Sequence, residues 1–320
     1  MDYKYSVCSG LLGELRTRFV SYQPPRSLEE KFELAARIQG LNGLELGYPA
    51  DFQDVKKLKG LLLRYGLGVS SVNLKLRGPD FMLKGSFSSP EAKAVNTAIS
   101  WGKEALDAAA DVSCGVVTTF PLNVGFNYPF EMDYSYAWQQ MVDGIREVAK
   151  HRKDIKFSIE YKLSDPRTRS LVSNVGEALC LARQTERSNV GITIDFGHCL
   201  IARENPSHAA TLAALENRLF HIHLNDNDRI ADTDLITGMV HFWETLEFFY
   251  YIPKLNYKGW LVTDVFPKAN DPGEVFTRTI EIHKRFVALA KDLDDFELTG
   301  LIRNRDLMGV CEKLQNLIRK

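Results

Sequence analysis

Four stretches of the chain each place an acid or an imidazole at the end of a short apolar run. KFSIEYK carries Glu160, with Lys162 two residues on, and GITIDFGH carries Asp195, with His198 three residues on. FHIHLND carries His221 and His223, and LVTDVFP carries Asp264. Glu160, Asp195, His223 and Asp264 are spaced 35, 28 and 41 residues apart. Each interval is roughly one strand–helix unit, so the ends of successive strands in a barrel would bring all four side chains to one mouth. Three carboxylates in so small a space repel one another unless a cation sits among them. The set therefore predicts a divalent metal ion held by Glu160, Asp195, His223 and Asp264. Oxygen donors with one imidazole suit Mn²⁺, Mg²⁺, Co²⁺ or Zn²⁺, and Mn²⁺ is placed first. Taken singly, a strand-end acid is ordinarily a helix cap or a surface ion pair. It is the recurrence at four consecutive strand ends that points to metal. The rings of His221 and His223 share one strand face about 6.6 Å apart, so His221 should lie one layer deeper, as a structural residue.

Stepping from these residues to what must hold them, eight apolar runs read as strands: Tyr3–Ser9, Gly43–Leu46, Gly68–Leu74, Cys114–Phe120, Lys156–Tyr161, Val190–Ile194, Leu219–Leu224 and Trp260–Asp264. Several are continuous rather than alternating, as parallel strands covered on both faces require. Amphipathic patterns lie between and after them: Ser27–Gln39, Gln53–Tyr65, Ser89–Ala110, Tyr134–Lys150, Val175–Gln184, Ser207–Asn217, His241–Tyr251 and Pro272–Lys291. The first opens with SLEE, a capping box. Eight strand-then-helix units predict an α/β fold, a closed (β/α)8 TIM barrel with extra C-terminal helices. No GxGxxG follows the first strand, which argues against a dinucleotide fold. Residues 1–292 read as the barrel domain and 293–320 as a helical extension that packs outside or on a partner. Two longer loops, Arg77–Ser89 and the aromatic-rich Asn123–Asp133, would lie at the mouth, where barrel active sites form.

The bulk numbers set the class. The chain has 320 residues, 45% hydrophobic and 25% charged, an ordinary globular balance. A formal net charge of −1 supplies no global field for nucleic acid or an anionic membrane. No run approaches the roughly 20 apolar residues of a membrane span, and the first residues do not read as a signal peptide. Five scattered cysteines with no CxxC pair predict reduced, mostly buried thiols in a cytoplasmic protein.

The array of Glu160, Asp195, His223 and Asp264 resembles the xylose isomerase-like superfamily of barrels, over nearly the whole chain from Tyr3 to Leu293. That group includes sugar isomerases, ketose epimerases and endonuclease IV-type nucleases. The resemblance implies the same four residues as ligands and Glu160 as general base. It implies His198, in its D-x-x-H, as a residue that binds substrate or a second metal. Arg229, six residues after His223, resembles an epimerase arginine that contacts substrate oxygens, and Gly238 fits the turn that follows. Glu160-Tyr161-Lys162 resembles the E-x-K of xylose and L-rhamnose isomerases, whose lysine polarises a substrate oxygen; the alternative is a solvated loop lysine. Asp264 stands where 3-epimerases carry a second glutamate base, which leans towards aldose–ketose isomerisation. Glu45, Asn73 and Thr119 at earlier strand ends are expected to bind sugar, and Phe126, with Tyr128 and Phe130, to cover a sugar or form a lid or an oligomer contact.

The expected function is a divalent-metal-dependent sugar isomerase or epimerase working through an enediolate or a hydride shift. An alternative keeps the site and cleaves a 3-oxo-glycoside, as a lyase or C-glycoside deglycosidase with a small partner subunit. An endonuclease IV-like nuclease would need three zinc ions and more histidines than the seven present. A catalytically dead binding barrel does not account for the intact ligand set. The expected partners are a sugar or glycoside and a second copy of the chain.

Overall fold

A computed structural model describes residues 3–76, 80–120, 125–165, 168–293 and 296–318. Within the two loops expected at the mouth, Arg77–Pro79 and Asn123–Val124 lie outside the described residues.

Eight parallel strands form the centre: β1 (Lys4–Cys8), β2 (Gly43–Tyr48), β3 (Gly68–Leu74), β4 (Val116–Thr119), β5 (Lys156–Glu160), β6 (Val190–Asp195), β7 (Leu219–Leu224) and β8 (Trp260–Thr263). Each pairs with its sequence neighbours and β1 pairs with β8, so the sheet closes and leaves no edge. Around it run α1 (Leu28–Ala35), α2 (Val55–Tyr65), α3 (Ala92–Asp111), α4 (Tyr134–His151), α5 (Val175–Gln184), α6 (Phe196–Ile201), α7 (Pro206–Leu215), α8 (Phe242–Lys254) and α9 (Pro272–Leu293). This is the (β/α)8 barrel expected. Helix starts follow local chemistry: Ser27 caps α1 in a reciprocal box with Glu30, and Asp54, Asp133, Asn174 and Asn205 cap α2, α4, α5 and α7.

The strands are buried on both sides. Val7, Leu44, Leu46, Val72, Val117, Phe157 and Ile192 are fully covered. Two short ribbons, Leu15–Arg16 with Ser21–Gln23 and Ser164–Asp165 with Thr168–Arg169, follow β1 and β5 and were not foreseen. Helix α6 was also unforeseen. Its six residues are all buried, so it carries no amphipathic period to read.

Beyond the barrel, α10 (Phe296–Arg303) and α11 (Leu307–Ile318) lie against α8 and α9. Leu298 is buried there, and Ile302, Val310 and Leu314 rest on the core. All five cysteines are free. Cys114 and Cys199 are buried, Cys8 and Cys311 half-buried, and Cys180 exposed, so burial is less general than expected. Among the described residues no helix is long and apolar enough to cross a membrane.

Candidate active site

The last four strands deliver the four predicted ligands to one point. Glu160 ends β5, Asp195 ends β6, His223 is next to last in β7, and Asp264 follows β8. Asp195 pairs in register with His223, so adjacent strands set these two side by side. His223 Nδ1 lies 3.2 Å from Glu160 Oε1, 3.5 Å from Asp264 Oδ2 and 3.8 Å from Asp195 Oδ2. One donor atom from each of the four lies within 4.8 Å of all the others. Glu160, Asp195 and His223 are buried, while the Asp264 side chain is 25% exposed to the cavity.

The electrostatics match a site built for a cation. Burial pushes the Asp195 carboxyl up to about 6, with His198 opposing and Glu160 reinforcing the rise. Burial also raises Asp264, against the pull of His223. Burial would lift Glu160 too, but His223 and His198 outweigh it and hold the carboxyl down at about 2. Among the described residues no lysine or arginine pairs with these three carboxylates. Three oxygen donors and one imidazole, with no lysine or arginine paired to them among the described residues, fit a divalent metal ion.

A layer below, Glu45 on β2 fixes the imidazole. It accepts hydrogen bonds from His223 Nε2 at 2.9 Å and His221 Nε2 at 3.2 Å. Asn73 Nδ2 donates at 2.7 Å, and the Ser71 hydroxyl and Cys8 thiol donate as well. Burial raises the Glu45 carboxyl, but His223 and His221 more than reverse this and hold it well below the usual range. With Nε2–H given to Glu45, Nδ1 is the ring nitrogen of His223 that faces the carboxylates, 3.2 Å from Glu160 Oε1. Glu45 and Asn73, expected beside the sugar, thus point chiefly at His223 and at each other, although both also line the cavity. His221 sits beneath, edge-on to His223 with ring centroids 5.1 Å apart.

His198 enters from α6. Asp195 Oδ1 accepts from the His198 amide and caps this helix. Gly197 lets the turn pass close to its neighbours: a Cβ there would strike the Asn225 and Asn227 side chains, which bond the Gly197 amide and carbonyl at 2.8 Å each. His198 Nδ1 then lies 3.5 Å from Glu160 Oε1. Lys162 is 12% exposed and its ammonium reaches Asp232 Oδ2 at 2.6 Å. Burial would lower Lys162, but Asp232 overrides it, so the ammonium stays charged.

These groups open on a cavity of about 590 Å³ lined by Glu45, Asn73, Glu160, Lys162, His198 and Asp264 among others. That size suits a small-molecule site. The cavity wall also holds Lys75, Phe120, Asp232, Asp234 and Phe266, which the sequence reading had not picked out. Asp232 and Asp234 come from the segment after β7, a loop without periodicity; only their nearness to HIHLND could have flagged them.

Three expected substrate contacts are not brought to the cavity. The Thr119 hydroxyl donates to the Leu74 carbonyl inside the sheet. Arg229 turns outward and bonds His241 Nε2 at 2.9 Å and Glu244 at 2.8 Å on α8's first turn and cap. Phe126 packs edge-on against Tyr134 with Arg169 over its ring. None of the three lines the cavity. Gly238 adopts φ 76°, the left-handed turn that glycine tolerates, just before α8.

The family model described as xylose isomerase-like TIM barrel matches residues 32–285. The xylose isomerase of Thermus thermophilus is 26% identical over 179 residues, 54% of this chain and 46% of that protein. The xylose isomerase of Streptomyces lividans is 37% identical over 93 residues, 28% of this chain and 24% of that protein. The chain thus spans less than half the length of these curated relatives. Among solved structures, a D-tagatose 3-epimerase-like protein superimposes with a TM-score of 0.72 at 18% identity, over 90% of this chain and 98% of that one. The D-allulose 3-epimerase of Methylomonas sp. gives 0.68 at 18%, over 88% and 96%. A 3-keto-D-glucoside 4-epimerase from E. coli gives 0.64 at 16%, over 89% and 100%. At such identities the structural likeness speaks for the fold, and the family match over most of the chain speaks for descent. This chain belongs to the xylose isomerase-like TIM barrel family.

Proposed function

We propose that this protein is a divalent-metal-dependent isomerase or epimerase acting on a ketose or aldose. The observation that carries the reading is the convergence of Glu160, Asp195, His223 and Asp264 donors within 4.8 Å, at the wall of a polar cavity. Glu160, Asp195, His223 and Asp264 would hold the ion, with Mn²⁺ the first choice for this donor set. When bound, it supplies Lewis-acid stabilisation of charge developing on a substrate oxygen.

The chain's own groups divide the remaining work. Glu160 belongs to the ligand set and also lines the cavity, so it is positioned to take a proton from a substrate carbon. His198 Nδ1, 3.5 Å from that carboxylate, is placed to bond a hydroxyl or move its proton. Lys162 keeps an ammonium in the same wall and holds a substrate oxygen. Asp264 lacks one methylene relative to glutamate, so it serves as a ligand, and Glu160 stands as the one base. This favours aldose–ketose isomerisation. The likeness to named sugar epimerases and xylose isomerases supports the sugar class.

A second reading keeps the site and cleaves a 3-oxo-glycoside, as a lyase. What favours it is an apolar stretch of the cavity wall, Leu11, Leu15 and Phe266, suited to an aglycone. A panel of free ketoses, aldoses and 3-oxo-glycosides with Mn²⁺ in D₂O tests both. Deuterium at carbon supports proton transfer at Glu160; isomerisation without exchange supports a hydride shift; cleavage of the glycosides alone supports the lyase. No turnover of any sugar, with no metal taken up, would falsify the proposal. The five free cysteines support a reducing compartment, and we place the enzyme in the cytoplasm, as an assembly of like subunits.

A further inference from the structure

One cation of the cavity wall has no carboxylate beside it. Lys75 directly follows β3, and its amide donates to the Tyr48 carbonyl at 3.0 Å. Leu74 and Leu76 on either side are 1% and 0% exposed, so the core fixes the backbone here. The Lys75 side chain is half-buried and lines the cavity. In the closed sheet of eight, β3 and β7 are four strands apart, so Lys75 stands across the mouth from His223. Its charge is felt at Asp264 and at Cys8, where it opposes the rise that burial imposes.

The other charged side chains of that wall are matched. Lys31 meets Asp51 at 3.0 Å, and Lys162 and His198 share Asp232 at 2.6 and 3.2 Å. Glu45 takes His223 and His221. Glu160 and Asp264 belong, with Asp195, to the set that a divalent ion would offset. Burial pushes the Asp234 carboxyl well above the usual range, and Asn225 donates to it at 3.2 Å. Opposite charges in contact largely cancel at a distance. Among the described residues no carboxylate pairs with Lys75, so its ammonium dominates the field at its own end of the cavity. A half-buried ammonium gives up part of its hydration, and a bound anion is the partner that replaces it.

We propose that Lys75 is a specificity-determining residue, and that the substrate is a sugar bearing an anionic group, a carboxylate or a phosphate, at the end remote from the ligand set. The assignment rests on the sugar-enzyme reading above and narrows it to acidic sugars. A sugar reacting at Glu160 on β5 has its far end in the half of the cavity walled by β1 to β3, the half that holds Lys75. Lysine suits this task as a compact point charge with three donors, able to serve either anion.

The test uses the Mn²⁺-loaded protein and calorimetry, so no turnover is needed. A panel of aldohexoses and ketohexoses is titrated as the free sugars, as their 6-phosphates and, for the aldoses, as their uronates. In the native protein one anionic form binds about 10- to 100-fold tighter than its neutral parent, the range of a charge-assisted hydrogen bond. Whether that form is the phosphate or the uronate names the anion. In Lys75→Met the advantage shrinks to within about twofold, while affinity for Mn²⁺ and for the neutral parent stays within about twofold of native. Neutral sugars that bind the native protein as tightly as their anions overturn the assignment. So does an advantage that survives in Lys75→Met, which would put the anion on the ion or on another cation of the wall. Both results leave the sugar-enzyme reading standing. A native protein that takes up Mn²⁺ and binds no sugar overturns that reading and this assignment with it. Should the Met variant fail to fold, Lys75→Gln takes its place with the same outcomes.

Discussion

Glu45→Gln is the sharpest perturbation of the site that replaces no proposed ligand. Glu45 is 2% exposed, and every group it meets is a donor: Cys8, Ser71, Asn73, His221 and His223. Glutamine keeps the volume but turns one acceptor oxygen into an NH₂, so at least one buried donor then faces another donor. The contact that matters most is His223 Nε2 at 2.9 Å, because it keeps Nδ1 turned to Glu160, Asp195 and Asp264. Partners that orient a metal-binding histidine are worth about 10- to 100-fold in metal affinity. At 1.36 kcal/mol per tenfold, that is about 1.4–2.7 kcal/mol. The unsatisfied donors cost a further ~1–3 kcal/mol of folding stability. Calorimetric titration with Mn²⁺ and thermal melts with and without it read the two effects separately. The variant should melt lower than the native protein and bind Mn²⁺ 10- to 100-fold more weakly on the same estimate. A folded Glu45→Gln protein whose Mn²⁺ affinity stays within about twofold of native would refute the orienting role.

Other outcomes follow from the same structure. Glu160→Gln should reduce turnover and carbon–deuterium exchange by about 10²- to 10⁴-fold, the range for a general base, and an active variant would end the mechanism. Arg229→Ala should leave KM within about twofold and cost under ~1 kcal/mol of stability, because its guanidinium joins a surface pair with Glu244; a large rise in KM would return Arg229 to the substrate. His283 gives a pH test. It is fully buried beside Thr237, and burial pushes its imidazole down to about 3. Folded His283 stays neutral where the unfolded chain protonates, so its stability contribution is complete above about pH 6.5 and falls by about 1.36 kcal/mol per unit between about pH 6.5 and 3. Denaturant unfolding of His283→Gln should show a shallower loss between pH 6.5 and 4.5; an unchanged slope would contradict the buried neutral state. Mn²⁺ added at about 100 times its dissociation constant should stabilise the fold by about 2.7 kcal/mol, and a chelator should reverse it, as read by melting temperature.

The barrel was legible because parallel strands covered on both faces must be nearly continuous apolar runs, and the helices between them must be amphipathic. Gly68–Leu74 and Leu219–Leu224 match their expected limits for that reason, while shorter strands such as Val116–Thr119 lose a residue or two at their ends. The ligand set was legible because each member ends a strand, where the period of the barrel places it. What escaped notice obeys no period. Helix α6 is buried all round. Glu45 meets His223 across 178 positions of chain, a contact that only barrel closure creates. Asp232 and Asp234 arrive on a loop. Arg229 had been placed by analogy alone, and its backbone, at φ 65°, carries the side chain away towards α8.

Asp195 carries a consequence of its own. One oxygen caps α6 through the His198 amide, and the other faces His223 in the ligand set. Whatever pins that carboxylate also stiffens the first turn of α6, and whatever frays that turn loosens the ligand. Binding of an ion at the proposed site and order in the helix that bears His198 should therefore be two readings of one equilibrium, a cation on Asp195 firming the hold on that histidine.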